Sequence, residues 1–169
     1  MTWRLYGSLP KSPPSAPGGA AFVALDRQLD RATDGPLWLK DPRVAECVSR
    51  VLLSGMSQWG FYELLAWAVM SNHVHVLLRP RIPFVKALMN IKSGSARSAN
   101  AALGRTGMPF WQGESYDHWV RDDHERRSIT RYIEFNPVTA GLVTEPEDWP
   151  WSSAGWQRGG VAPSAATRL

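Results

Sequence analysis

Phe61-Tyr-Glu-Leu-Leu-Ala-Trp-Ala-Val-Met-Ser-Asn-His-Val-His-Val-Leu-Leu78 is the stretch on which the fold turns. Phe61–Met70 is largely apolar and aromatic, and it is bounded by Gly60 and by Ser71-Asn72, which reads as a strand followed by a turn. His73–Leu78 alternates and reads as the returning strand, so the two segments make a central antiparallel hairpin. Along a strand, positions i and i+2 point to one face. His73 and His75 therefore project together, while Val74, Val76 and Leu78 turn toward a core behind them. Two imidazoles on one face, packed from behind, are half of a divalent-metal site. Taken alone they are equally a pair of surface or core histidines.

Helices flank the hairpin. Asp41-Pro42 supplies an N-cap and a first-turn proline, and Val44, Cys47, Val48, Val51 and Leu52 recur at helical spacing to about Leu53, with Gly55 just beyond. A second helix is predicted from Pro83 to about Leu103, ending at Gly104. A third begins near Asp122, where Asp122-x-x-Glu125 has capping-box spacing, carries Ile129 and Ile133 on one side, and stops before Pro137. A short strand near Val138–Val143 is expected after it. At the other end, Trp3–Leu9 reads as a strand and Pro10–Ala21, rich in Pro, Gly, Ser and Ala, as a flexible loop. Phe22–Leu39 is mixed, with an extended piece at Pro36–Leu39. Trp149 and Trp151, flanking Pro150, read as a lid over the sheet end, and the chain beyond Trp151 looks frayed. The expected organisation is one domain over residues 1–154 and a disordered tail over 155–169.

A second polar cluster lies on the third helix. Tyr132 and Asn136 are four apart and share a helix face, beside Ile129 and Ile133. A tyrosine can attack a phosphodiester when a metal polarises the phosphate, and Asn136 offers an oxygen ligand. The plainer reading makes Tyr132 a half-buried packing residue and Asn136 a C-terminal cap. Glu134 falls about 200° round the helix from Tyr132, taking roughly 100° per residue. His118 and His124 suit a structural hydrogen bond and a helix N-terminal position.

Charge is uneven. From Arg79 to Gly113 the basic residues Arg79, Arg81, Lys86, Lys92, Arg97 and Arg105 meet no Asp or Glu, and Phe84, Phe110 and Trp111 are interspersed. Such a stretch can follow a phosphate backbone while a ring such as that of Trp111 stacks on unpaired bases, or it is a solvated helix face. Over the 169 residues the net charge is +4, and all but four of the 19 basic residues are arginine, whose planar fork suits phosphates and base edges. Cys47 is the only cysteine, which excludes an internal disulfide and suits a reducing compartment. No apolar run approaches the roughly 18 residues of a membrane span, and no signal peptide is recognisable. The expectation is a cytoplasmic protein without membrane contact.

Ala66-Trp-Ala-Val-Met-Ser-Asn-His-Val-His-Val-Leu-Leu, Phe110-Trp-Gln with Tyr116-Asp-His-Trp-Val-Arg-Asp, and Tyr132-Ile-Glu-Phe-Asn-Pro-Val with Ala140-Gly-Leu-Val and Trp149-Pro-Trp-Ser-Ser, in this order, resemble the REP-associated tyrosine transposases. These are a branch of the single-tyrosine HUH transposases of the insertion sequence 200 type. The resemblance spans about Leu37–Ala154, and Arg4-Leu-Tyr-Gly-Ser-Leu-Pro is similar to the family's first strand and turn. It implies a ferredoxin-like α+β fold, an antiparallel sheet with helices on one face. The histidines would lie on a central strand and the tyrosine on a helix facing them. It implies that Tyr132 attacks single-stranded DNA, leaving a 5′-phosphotyrosine and a free 3′-hydroxyl, and that a later 3′-hydroxyl reverses the step. Mg2+ or Mn2+ would be held by His73 and His75, with Asn136 at the third-ligand position. Single-stranded or hairpin DNA at palindromic repeats of a bacterial chromosome would be the partner. The protein would act as a monomer or homodimer associated with the nucleoid. A catalytically silent, domesticated DNA-binding protein of the same fold is the alternative. A histidine-triad hydrolase is disfavoured because position 77 is leucine.

Overall fold

The computed structural model describes residues 1–8, 19–32 and 35–157. The hairpin is there: β2 (Tyr62–Val69) and β3 (His73–Pro80) pair antiparallel, with Ala68 opposite His75 and Val69 opposite Val74. The ladder shifts register between Leu64 and Ala66, leaving Leu65 as a bulge. β1 (Thr2–Arg4) pairs with the other edge of β3, giving the order β1-β3-β2 with β3 central. Single bridges from Tyr116 to Thr2, from Trp111 to Leu5 and from Ser152 to Ala68 cover parts of the two outer edges.

The faces of β3 differ, as the alternation requires. Val74 and Val76 enter the main core with Trp3, Leu5, Tyr62, Trp67 and Val69. There they meet α2 (Pro42–Ser57), through Val44, Val48 and Leu52, and α3 (Phe84–Ala102), through Ala87, Ile91 and Ala99. His73, His75 and Leu77 face the other way, where Ala66, Ala68, Met70 and Leu77 form a smaller core with Ile133 of α4 (Asp123–Thr139). The α+β class with an antiparallel sheet and packed helices is as expected, but the helices, expected on one face, occupy both. α2 and α3 form the helical layer on one face, and α4 lies across the other.

Boundaries depart from the pattern for local reasons. Asp41 caps α2, its side chain accepting from Arg43 N, but the helix runs through Gly55 to Ser57. Gly55 is buried, and a Cβ there would overlap the Tyr62 hydroxyl, which donates to Leu52 O at 2.9 Å. The glycine serves a close approach rather than a helix end. α4 contains Pro137 instead of stopping before it, because a proline in the last turn removes only one helical bond. Over Val138–Val143 the chain turns at Gly141 (φ 70°), with Leu142 N on Pro137 O, where a strand was predicted.

The largest difference is α1 (Gly19–Asp30). Gly19–Ala21 belong to this helix and not to a loop, and the rest of the stretch from Pro10 lies outside the described residues. Pro36–Leu39 gives way to a single 3-10 turn at Trp38–Lys40 that buries Leu39. A second such turn spans Pro146–Asp148, and Ser153–Gln157 forms the short α5, so the expected tail begins helical. Residues 158–169 lie outside the described residues. Trp149 and Trp151 do clasp the sheet end: Trp149 Nε1 donates to Val69 O, and Val69 N to Trp151 O.

Candidate active site

His73 and His75 are fully buried, their Nε2 atoms 3.0 Å apart. Each Nδ1 is held from behind. Asn72 Nδ2 donates to Leu29 O at 2.9 Å, which turns Asn72 Oδ1 toward His73 Nδ1 at 2.8 Å. That oxygen can only accept, so the His73 proton resides on Nδ1 and the Nε2 lone pair points into the site. His75 Nδ1 lies 2.8 Å from Thr2 Oγ1 of β1. Burial lowers the His73 pKa, which favours the neutral imidazole that a ligand must be.

Opposite the imidazoles stands a carboxylate that the sequence reading missed. Asp26 of α1 is 2% exposed, with Oδ1 3.1 Å from His75 Nε2 and 3.3 Å from His73 Nε2. Oδ1 takes no directed hydrogen bond from the described residues. Oδ2 accepts from the Tyr132 hydroxyl and, at 3.0 Å, from Asn136 Nδ2. Burial pushes Asp26 up, but a proton on the facing imidazoles, through the charge of His75 first and through hydrogen bonds from the rings, outweighs it and holds the carboxyl well below its usual range. One turn on, Asp30 Oδ1 lies 3.8 Å from His73 Nε2. Burial, aided by the charge of Asp26 and opposed by His73, raises Asp30 to about 6.

Two imidazole nitrogens and a carboxylate oxygen thus converge, all within 4.8 Å of one another. Such a cluster needs a positive charge among its members, a shared proton or a metal ion. The donor set and the Nδ1 partners fit a divalent ion held by His73, His75 and Asp26.

Tyr132 and Asn136 both reach this cluster from α4. The Tyr132 ring stands edge-on to His75, centroids 5.8 Å apart, and is 36% exposed. Burial, together with the charges of Asp26 and Asp30, pushes its phenol far above the ordinary value. Asn136 is buried; its Nδ2 anchors Asp26, while its Oδ1 has no hydrogen-bond partner among the described residues. Glu134 faces away and accepts from Ser153. His118 pairs with Glu125, whose other oxygen accepts from Arg121 N as part of the α4 cap; Asp122 supplies the rest by accepting from Glu125 N.

The predicted DNA-binding set does not gather here. Arg79 is on β3 and Arg81 in the turn after it, Lys86, Lys92 and Arg97 are on α3, which packs on the opposite face of the sheet, and Arg105 and Trp111 follow it. Arg79, Arg81, Lys86 and Arg97 are exposed, Arg79 pairing with Glu63. Lys92 Nζ is tied to the carbonyls of Gln112 and Gly113, and the Arg105 guanidinium lies 3.8 Å over the Trp38 ring. Trp111 is a correction: it is 9% exposed, edge-on to Trp3 and Phe110, and bonded through Nε1 to Ser95 Oγ. A ring so placed is core and offers no face to a base.

Asp26 escaped the sequence reading because the Pro/Gly-rich run before it read as a loop. The available signal was the spacing of Asp26 and Asp30, one helical turn apart about the buried Leu29.

The family described as "Transposase IS200 like" matches residues 38–136. A putative REP-associated tyrosine transposase of Haemophilus influenzae is 28% identical over 104 residues, covering 54% of this chain and 58% of that protein. The REP-associated tyrosine transposase of Escherichia coli K12 is 30% identical over 95 residues, covering 54% of each. The match therefore spans little more than half the length of these relatives. Among solved structures, a REP-associated tyrosine transposase bound to a REP hairpin superposes with a TM-score of 0.57 at 20% identity, over 99% of this chain and 83% of that one. The family match takes in both histidines, Tyr132 and Asn136, whereas Asp26 and Asp30 lie before it.

Proposed function

The chain belongs to the IS200-like transposase family, and we propose that it is a metal-dependent enzyme that nicks and rejoins single-stranded DNA through Tyr132. The observation that carries this reading is the convergence of the Tyr132 hydroxyl, both histidine Nε2 atoms and Asp26 at one buried point, to which the half-exposed Tyr132 gives access from solvent. Hairpin-forming repeats are the proposed target, because the relatives are REP-associated transposases and the structural neighbour is bound to a REP hairpin. Arg79, Arg81, Lys86 and Arg97 remain proposed contacts to DNA away from the cut. Among the described residues no helix is long and apolar enough to cross a membrane; the proposed place of action is on the nucleoid in the cytoplasm.

The chemistry follows from the side chains. His73, His75 and Asp26 would hold Mg2+ or Mn2+, with the unpartnered Oδ1 of Asn136 a candidate further oxygen. The ion, when bound, polarises the scissile phosphate and offsets charge as it develops. Tyr132 Oη forms a bond to phosphorus while the bond from phosphorus to the 3′ oxygen breaks. Asp26 Oδ2 accepts the phenolic hydrogen bond and so orients Tyr132 Oη for attack, and the proton the phenol loses ends on the departing 3′ oxygen, which becomes a hydroxyl. The 5′ phosphate stays on the tyrosine, and attack by another 3′-hydroxyl reverses the sequence without an external energy source. Asn136 holds Asp26 in place throughout.

A labelled single-stranded hairpin oligonucleotide incubated with Mn2+ tests the proposal. Wild type should release a fragment with an extendable 3′-hydroxyl, and His73→Ala and His75→Ala should bind the DNA without cutting it. Binding without any cut by the wild type, or equal cutting by the histidine variants, would overturn it in favour of a DNA-binding protein without turnover.

A further inference from the structure

Around Tyr132, α4 has two flanks. On the protein side lie Ile129, Ile133 and Asn136; on the solvent side lie Ser128, Arg131 and Phe135. Arg131 stands with its guanidinium 5.3 Å from the centroid of the Phe135 ring, and Phe135 is 43% exposed. α1 crosses α4 here, because Asp26 Oδ2 accepts from both Tyr132 and Asn136. The crossing turns Asp26 and Leu29 inward and leaves Arg27, Gln28 and Arg31 exposed next to it. No salt bridge of the described residues engages Arg27, Arg31 or Arg131. Arg27 is close enough to favour the ionised form of Tyr132. The basic residues of α3 are on the other side of the sheet and cannot serve the phosphate at Tyr132.

Resting on the nicking reading above, we infer that Arg27 of α1, Arg31 just past its end and Arg131 of α4 clamp the phosphates of single-stranded DNA that flank the scissile one, with Phe135 stacking on a neighbouring base. The chemistry is that of a single strand. Unpaired cations set one helical turn apart meet successive phosphates, and a half-exposed ring beside them accepts any base through its π face. In a duplex the base faces are covered by neighbouring pairs, so the ring selects for the unpaired strand.

The test uses binding, so it stands apart from the question of turnover. In the Tyr132→Phe background, affinity for a single-stranded oligonucleotide is measured by fluorescence anisotropy across a salt series. Arg27→Ala and Arg131→Ala should each weaken binding and reduce the slope of log K against log salt by about 0.7, the value for one phosphate contact on a single strand. Arg27→Lys and Arg131→Lys should keep the slope. Arg50→Ala, which removes a charge paired with Glu46 on α2, should change neither quantity. Phe135→Ala should weaken binding about tenfold with the slope unchanged, and Phe135→Trp should restore it. Unchanged affinity and slope in the arginine variants would overturn the clamp. Equal losses for Phe135→Ala and Phe135→Trp would overturn the stacking role. If these losses appear but the wild type never cuts, the clamp stands and the nicking reading fails.

Discussion

Asn72 decides which nitrogen of His73 the site can use. Its amide is oriented by Leu29 O, so its oxygen fixes the proton on His73 Nδ1 and frees Nε2. Asn72→Ala should therefore weaken Mn2+ binding by about 10–100-fold, the usual effect of losing a partner behind a metal-bound histidine. It should also cost roughly 1–3 kcal/mol of stability, since Leu29 O loses its donor. Calorimetric metal titration and denaturant unfolding read the two effects separately. At this scale the histidine pair and the Tyr132–Asn136 spacing were readable, because each depends only on the period of one element. Asp26 was not, since a carboxylate becomes a site residue only when α1 crosses α4, and nothing local to residues 22–30 encodes that crossing. Trp111 erred in the other direction: a tryptophan in a basic run looks like a stacking platform, and only the packing against Trp3 and Phe110 shows it to be core.

Among the elements, β2, β3 and α3 were readable almost to the residue, since alternation, Pro83 and Gly104 mark their ends in the sequence itself. The ends of α2 and α4 were not, because Gly55 and Pro137 each have two physical uses. Gly55 ends no helix; it leaves room for the buried Tyr62 ring. Gly55→Ala should therefore destabilise the protein by about 1–3 kcal/mol through overpacking, although alanine is ordinarily the better helix former. Thermal unfolding checks the sign, and a rise in Tm would mean that the glycine acts as a plain helix breaker. Pro137 sits late enough in α4 that only one backbone bond is missing, so Tyr132 and Asn136 keep their shared face.

Over the whole molecule, the sheet separates two duties. One face carries the main apolar core against α2 and α3; the other carries the buried polar cluster between β3, α1 and α4. A cluster of two imidazoles and a carboxylate without a compensating cation opposes folding, so an ion bound there should stabilise the native chain. With Mn2+ at a hundred times its Kd the gain is about 2.7 kcal/mol, roughly 5–10 °C in Tm for a chain of this size. EDTA, or the His73→Ala, His75→Ala double change, should abolish the shift. A shift that survives the double change would place the ion elsewhere.

The most direct measurement is mass spectrometry of the protein after incubation with single-stranded hairpin DNA and Mn2+. The nicking account predicts a covalent 5′-phosphodeoxynucleotide adduct on the peptide that carries Tyr132, absent with EDTA and absent in Tyr132→Phe. An adduct on another residue, one that forms equally in EDTA, or free nicked DNA with unmodified Tyr132 at every time point would contradict it.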